Sequence, residues 1–190
     1  MSEKQREALQ QLSDQFSKAT TEWEDYWRSY SSWDTWPFWV LLALLVLPLI
    51  ALIFLMDRKR AFQIGFYGFA IHSISIYIDL YATTHRMWAY PYKVFSFPPS
   101  SFSLDASLIP VAYMLLYQWT PRKWWHYYAS LLALAAVFAF GLKPLLSKVG
   151  LFQLQESSYW TLFLLYFGGG VIGKWIADLF GYAQRTASRA

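Results

Sequence analysis

The chain has 190 residues, of which 56% are hydrophobic, 21% aromatic and only 15% charged. Soluble domains carry about 25% charged residues, so this composition is typical of a chain solvated partly by lipid. The absence of cysteine excludes disulfides and thiol chemistry, and the net charge of +4 is spread over loops without the basic, aromatic-rich run that would indicate nucleic-acid binding.

Residues 1–34 are predicted to form an amphipathic helical arm that precedes a bundle over residues 35–190. Apolar residues in the arm recur at alternating steps of three and four, which is a helical stripe. The stripe allows two interpretations: a helix that binds a partner or a second copy through residues 9–30, or one that lies on the membrane surface or on the bundle. Its members are Leu9, Leu12, Phe16, Ala19, Trp23, Tyr26 and Tyr30.

Five segments are apolar enough to be read as membrane-crossing helices, each of which needs roughly 20 mostly apolar residues. The first ends abruptly at the charged run 57–60, and the third is stopped by Pro121. We therefore predict an all-α polytopic membrane bundle of five transmembrane helices with an N-terminal amphipathic helix. The predicted spans are residues 36–56, 61–82, 104–119, 124–142 and 159–180.

The distribution of Lys and Arg predicts the orientation, because basic residues in short loops stay on the cytoplasmic side. One set of flanks holds Arg58, Lys59, Arg60, Arg122, Lys123, Arg185 and Arg189, whereas the opposite loops hold Arg86, Lys93, Lys143 and Lys148. The larger set is expected inside. The N-terminus is then outside and the C-terminus is cytoplasmic.

One face of the second span carries its small and polar residues, among them Gly68, His72, Ser75 and Asp79. Small residues allow close helix contact and polar ones hydrogen-bond across it, so this face should point into the bundle. It could form a polar cavity in which His72 handles protons. Alternatively, His72 and Ser75 satisfy backbone carbonyls in a packed interface.

Two carboxylates flank the linker between spans two and three, Asp79 before it and Asp105 after it. The linker also holds His85, Arg86, Trp88 and Tyr90, followed by the stiff turn 97–99 (Phe-Pro-Pro). A cluster of these groups could bind a cation, hold a lipid headgroup or perform acid–base chemistry. The structural alternative is an Asp105 at a helix N-terminus and an Asp79 paired with Arg86 or His85.

The third span extends this candidate site. Pro110 removes a backbone donor and frees the carbonyl of Ala106, so a kink is expected in the helix. Tyr113, Tyr117 and Gln118 follow it and could line a cavity or simply pack. The candidate ligand-binding set is Asp79, Asp105, His85, Arg86, Trp88, Tyr90, Tyr113, Tyr117 and Gln118.

The fifth span carries a small-residue ridge, Gly169, Gly173 and Ala177, suited to close helix packing or to association with a partner. Lys174 and Asp178 lie four residues apart and can pair on one face. We interpret that pair as structural. The sequence contains no nucleotide, hydrolase or metal-ligand motif, so it indicates no metal and no cofactor.

The pattern Asp79, Trp88-Ala89-Tyr90-Pro91, Asp105, Pro110, Tyr113 and Tyr117-Gln118 resembles a placeholder-named family of small multi-pass membrane proteins from spore-forming bacilli and clostridia. The resemblance covers roughly residues 36–180 and implies a bacterial plasma-membrane protein without implying a mechanism. The spaced aspartates and Trp-x-Tyr are also faintly similar to membrane-embedded lycopene cyclases. The Pro-x-Glu-Glu acid motif of those enzymes is absent.

Three functions remain open from the sequence. The first is a structural or partner-binding membrane protein that assembles through the arm and the ridge of the fifth span. The second is a membrane-embedded enzyme or small-molecule or lipid binder that uses the outward-facing Asp, His and Arg residues. The third is a small transporter or channel, which would need polar residues to continue inward past Gly68.

Overall fold

The computed structural model describes residues 1–96, 100–120 and 124–187. The predicted turn 97–99, the basic stop 121–123 and Arg189 lie outside the described residues. The chain begins with the long helix α1, Glu3–Tyr30, whose N-cap Ser2 accepts a hydrogen bond from the Gln5 backbone N–H at 3.2 Å. Helix α1 has no buried residue, so it is an arm rather than a core element.

Two long apolar helices follow the arm. Helix α2, Trp36–Leu55, contains no charged residue and ends before the 3₁₀ turn Arg58–Arg60. Helix α3, Ala61–Thr84, returns along the bundle. The Asp57 side chain accepts from the Lys59 backbone N–H at 3.0 Å, so the charged run forms a tight capped hinge between the two helices.

The second half of the chain contains helices interrupted by π-helical turns. The π turn Leu104–Leu108 leads into α4, Ile109–Trp119, and α5, Trp124–Ala136, continues through the π turn Val137–Leu142 into α6, Lys143–Lys148. Helix α7, Tyr159–Ala187, is the last element. Two short strands, β1 (Trp88–Ala89) and β2 (Gln153–Leu154), pair antiparallel across the linkers.

Within the described residues, four helical segments are long and apolar enough to cross a membrane: Trp36–Leu55, Arg58–Thr84, Trp125–Lys148 and Tyr159–Ala187. The all-helical architecture is therefore confirmed together with four candidate crossings. The segment 104–119 is not among the four, because its π turn and α4 together reach only about 24 Å at 1.5 Å per residue.

Helices α3 and α7 pack closely because α7 presents small residues to α3. A Cβ on Gly173 would lie 2.6 Å from the Ile71 side chain, and Ala177 is buried. On the other side of α3, a Cβ on Gly68 would lie 2.2 Å from the Met114 sulfur of α4. The small-residue ridge of α7 thus makes contacts inside this chain.

Contacts at both ends of α4 show that it runs along α3. At its C-terminal end, the Gln118 side chain accepts from the Asp57 backbone N–H at 2.7 Å and donates to the Leu55 carbonyl at 2.8 Å. At the other end, His72 Nδ1 of α3 lies 2.8 Å from the carbonyl oxygen of Asp105. The end of the bundle that holds Asp79 and Asp105, called here the site end, is therefore opposite the hinge between α2 and α3.

The arm is attached to the site end through its last turns. Trp27 Nε1 donates to the Lys93 carbonyl at 2.9 Å, and Ser31 exchanges two hydrogen bonds with the Lys93 backbone at 2.6 and 3.0 Å. The Lys93 ammonium lies 3.8 Å from the Trp23 ring centroid. Residues 1–19 remain fully exposed, so the arm is docked at one end only.

Candidate functional site at the end of helix α3

Asp79 is the hub of a buried hydrogen-bond network. Its Oδ1 accepts from Trp88 Nε1 at 2.7 Å and from the Tyr90 hydroxyl at 2.9 Å, and its Oδ2 accepts from the Ser101 backbone N–H at 3.0 Å. Three donors thus occupy most of the acceptor positions of one carboxylate. The prediction that Asp79 faces the protein interior is therefore in agreement with the structure.

The strand β1 explains why Trp88 and Tyr90 both reach Asp79. Side chains two residues apart on an extended chain point to the same side, so Trp88 and Tyr90 face inward together. Pairing of Trp88 with Leu154 and of Ala89 with Gln153 holds this short strand against β2. A two-residue hydrogen-bonded ladder thus positions the two donors.

Lys143 joins the network from the other half of the chain. Its ammonium donates to the Tyr90 hydroxyl at 2.8 Å and lies 4.2 Å from the centroid of the Phe152 ring. Burial raises the pKa of Tyr90 well above its ordinary value, and the Asp79 charge adds to this effect. Tyr90 therefore stays protonated and relays hydrogen bonding from Lys143 to Asp79.

Each π turn in the described part of the chain ends two residues before a proline, and a charged group of the site lies in it or directly after it. Asp105 lies in the π turn before Pro110, and Lys143 follows the π turn before Pro144. A proline lacks its N–H and crowds the preceding helical turn, and a π turn relieves both problems by widening the helix. The sequence predicts a kink at Pro110, and the structure has the π turn Leu104–Leu108 just before it.

Asp105 is buried beside this network but is less well satisfied than Asp79. Its Oδ2 has no hydrogen-bond partner among residues 1–96, 100–120 and 124–187. Lys143 interacts electrostatically with both carboxylates. The cluster thus holds two carboxyl groups and one ammonium group.

These groups form the polar end of a cavity enclosed by α3, α4 and α7. The space between protein atoms in it amounts to about 470 Å³ up to its open side. Its lining residues Ile74 and Ile78 on α3 and Leu165 and Gly169 on α7 are partly exposed, so this side of the cavity is the one nearest the surface of the bundle. Its apolar walls are formed by Ile71, Ile74, Ile78, Ile109, Leu162 and Leu165.

The cavity contains five residues of the candidate ligand-binding set: Asp79, Asp105, Trp88, Tyr90 and Tyr113. Ser75, an expected intramembrane polar residue, also lines it. His72 does not, and its ring instead bonds the Asp105 carbonyl, as in the packed-interface alternative.

The other four members of the candidate set lie elsewhere. His85 is exposed and its ring bonds the Tyr81 carbonyl at 2.8 Å, while Arg86 turns away with a φ of 56° and lies 4.0 Å from Glu156. Tyr117 stacks on Tyr67 near the opposite end, and Gln118 fastens α4 to the hinge. The expected ion pair of Asp79 with Arg86 or His85 is absent because the chain reverses direction at Arg86.

Lys174 and Asp178 pair as expected, at 2.5 Å on one face of α7. Neither residue lines the cavity that contains Asp79. Within the described part of the chain, no group of three or more His, Asp or Glu side chains is arranged to hold a metal ion.

Sequence reasoning did not identify Lys143 as a site residue. It was assigned to an outer loop, whereas the structure places it at 1% exposure within the cluster. The available signal was Pro144, which breaks the helix at a lysine between apolar residues, just as Pro110 follows Asp105. Comparison of the chain with protein-family models, with curated proteins and with solved structures finds no match.

Proposed function

We propose that this protein binds a single-chain amphiphile dissolved in the membrane, in the cavity between α3, α4 and α7. The observation that carries the proposal is a buried carboxyl oxygen of Asp105 that has no hydrogen-bond partner among the described residues, at the polar end of an otherwise apolar cavity. An unsatisfied buried polar atom costs about 1–3 kcal/mol, and a hydrogen-bond donor on a ligand would remove that cost.

The charges at the polar end indicate which headgroup fits. Two carboxyl groups, Asp79 and Asp105, face a single ammonium, so a phosphate or carboxylate headgroup would add acceptor oxygens to a site that is already rich in them. A hydroxyl or amino group can donate to Asp105. Lys143 has three donors and gives one to Tyr90, so its ammonium can also donate to a hydroxyl oxygen of the ligand.

The apolar walls and the partly exposed side of the cavity support a hydrocarbon chain as the rest of the ligand. Ligand sites are commonly apolar clefts with a few polar groups that fix orientation, and this cavity has that arrangement. Because the partly exposed lining residues belong to two candidate membrane-crossing helices, the ligand would enter from the lipid.

The headgroup preference can be tested with three probes of equal chain length: dodecanol, dodecylamine and dodecanoate. The protein is reconstituted in lipid nanodiscs and its thermal unfolding is followed as each probe is added. We expect dodecylamine and dodecanol to raise the midpoint, because both donate to Asp105. Dodecanoate should leave it unchanged. Equal shifts for all three probes, or no shift for any, would overturn the proposal.

Two matched variants test whether the response to dodecylamine comes from binding at Asp105. Asp105→Asn keeps the side-chain volume but removes the charge, and we expect about a tenfold weaker response to dodecylamine, corresponding to roughly 1.4 kcal/mol. Asp178→Asn makes the same change on α7 outside the cavity and should leave the response unaltered. A response that survives Asp105→Asn would place the probe elsewhere.

We also propose that the chain crosses the bacterial plasma membrane five times, with α4 as a short fifth crossing. Support comes from the two ends of α4, which reach Asp79 at the site end and Asp57 at the hinge. The basic hinge would face the cytoplasm under the positive-inside rule, and the arm would lie outside. We propose as well that the chain belongs to the family of membrane proteins from spore-forming bacteria that its sequence resembles.

A second candidate function is assembly through the arm. Leu9, Leu12 and Phe16 are 58%, 64% and 76% exposed, and they occupy heptad positions on one face of α1. The flanking positions Ala8, Ser13 and Gln15 are uncharged, so two copies of the stripe can meet without repulsion.

The mass of the purified protein in detergent tests this second function. We expect a dimer or larger assembly that Leu12→Lys converts to monomer, whereas Gln11→Lys, on the neighbouring face of the same turn, does not. A wild-type monomer at high protein concentration would contradict assembly through the arm.

A further inference from the structure

A second cleft lies at the opposite end of the bundle, between the start of α3 and the end of α7. It is much larger and more open than the cavity at Asp79, with about 1,310 Å³ of space between protein atoms up to its open side. Both helices belong to segments that are long and apolar enough to cross a membrane. Because the cleft lies at their ends, it is at the level of the lipid headgroups.

The polar wall of this cleft is basic. Lys59 and Arg60 line it, and the Arg185 guanidinium lies against Gly181 in its wall. None of these three cations takes part in an ion pair within the described residues, where the pairs found are those of Lys18, Arg86 and Lys174. Of the nearby acids, Asp57 caps the Lys59 backbone N–H and Asp178 pairs with Lys174.

Two contacts hold the guanidinium of Arg60 in position. Its Nη1 lies 3.5 Å from the Gln118 carbonyl oxygen, and its guanidinium carbon lies 5.7 Å from the Tyr117 ring centroid. Arg60 is also the N-cap of α3 and makes no side-chain cap hydrogen bond. The positive end of the α3 dipole is therefore added to the three cations.

The rest of the cleft is aromatic and exposed. Phe66 and Phe180 contact each other with ring centroids 5.0 Å apart. Phe62, which also lines the cleft, is 83% exposed. Phenylalanine rings do not bind a dissolved anion, but they can contact acyl chains. The combination fits a molecule with a negative headgroup and attached hydrocarbon.

We propose that this cleft binds the headgroup of an anionic phospholipid, with the phosphate at Lys59 and Arg60 and an acyl chain against Phe62, Phe66 and Phe180. The site is independent of the cavity at Asp79, which holds two carboxyl groups and lies at the other end of α3. The two ends of the bundle thus select lipids of opposite headgroup character.

The test measures which lipids the protein retains. The full chain is reconstituted in nanodiscs containing phosphatidylglycerol and phosphatidylcholine in equal amounts, extracted gently, and examined by native mass spectrometry. We expect retained phosphatidylglycerol in excess over phosphatidylcholine. Each basic residue near a membrane surface contributes enough for about a fivefold change, so Arg60→Gln and Lys59→Gln should each lower the preference about fivefold.

Matched controls separate site binding from general attraction. Arg28→Gln removes one positive charge from the arm and should leave the preference unchanged. Lys59→Gln alters an exposed side chain and gives a result even where Arg60→Gln fails to fold. Equal retention of both lipids by the wild type would overturn the proposal. So would a preference that survives Lys59→Gln, or displacement of phosphatidylglycerol by inorganic phosphate alone.

Discussion

Two groups of charged side chains lie within the helices, and they are neutralised in different ways. Asp79, Asp105 and Lys143 are 4%, 3% and 1% exposed and come from three separate parts of the chain. The side chains of Lys174 and Asp178 are 16% and 50% exposed and lie one helical turn apart. The first group is a buried network assembled by the fold, whereas the second is a local pair.

The difference shows what each arrangement contributes. A local pair needs only a helix, so it forms wherever α7 forms and contributes little to its stability. The buried cluster needs α3, β1 and α6 to meet, and each member left without its partners bears the full cost of an isolated buried charge. Substituting members of each group in turn tests this contrast between the buried cluster and the local pair.

The largest effect is expected for Asp79→Ala. The change leaves Trp88 Nε1 and the Tyr90 hydroxyl without their acceptor and removes an opposite charge from Lys143. We expect the free energy of unfolding to fall by about 3–5 kcal/mol, as for other broken buried ion pairs. Denaturant unfolding in detergent micelles measures it, and Asp14→Ala on the exposed arm is the control. A loss below about 1 kcal/mol would contradict the hub role of Asp79.

A smaller effect is expected for the link between Lys143 and Tyr90. A double-mutant cycle with Lys143→Met and Tyr90→Phe should give an interaction energy of about 1–3 kcal/mol, since the two side chains share one hydrogen bond in a buried network. The same unfolding assay measures all four proteins. Additive single-variant effects would show that the ammonium and the hydroxyl act independently.

Lys93 provides a third case, a buried ammonium that faces the Trp23 ring. Burial lowers its pKa from 10.5 to about 8, and the Asp79 charge partly opposes the shift. Between pH 8 and 10.5 the unfolded chain therefore binds more protons at this residue, and the folded state gains stability as pH rises. Below pH 8 the contribution is constant.

The Lys93 effect can be isolated by comparison with Lys93→Met, which keeps the length of the side chain and removes its titration. We expect the difference in unfolding free energy between wild type and variant to change by on the order of 1–2 kcal/mol across the window from pH 8 to 10.5. A difference that stays flat over this range would show that Lys93 titrates normally.

The smallest effect is expected for the pair on α7. Asp178→Asn should lower the unfolding free energy by roughly 0.2–1 kcal/mol, because the pair is partly exposed and local. The same unfolding assay measures this loss, and the loss caused by Asp79→Ala is the reference for comparison. A loss above about 2 kcal/mol would place the pair in the same class as the buried cluster and remove the contrast between them.

Much of the fold could be predicted because it depends on local composition. Unbroken apolar runs predict α2 and α7, and the alternating stripe predicts α1. The meeting of Asp79 and Asp105 at one cavity was also predictable, since the linker between them is short. These features need only spacing along the chain and the known thickness of a bilayer.

The remainder depends on contacts between distant segments. Lys143 lies 53 residues from Tyr90, and no local pattern reports that α6 packs beside β1. Arg86 was expected at the site because it lies close in sequence to Asp79. A single residue with positive φ sends its side chain to Glu156 instead. The predicted span 104–119 coincides with the π turn and α4, but hydropathy does not detect the π turn itself.

The partly exposed side of the cavity has a consequence for how occupancy would be controlled. A molecule that reaches Asp105 from between α3 and α7 never passes through water, so its effective concentration is its mole fraction in the bilayer. Diluting a vesicle suspension with buffer would then leave the site as full as before, whereas adding plain lipid would empty it. The composition of the surrounding membrane, rather than of the aqueous phase, would set the state of the protein.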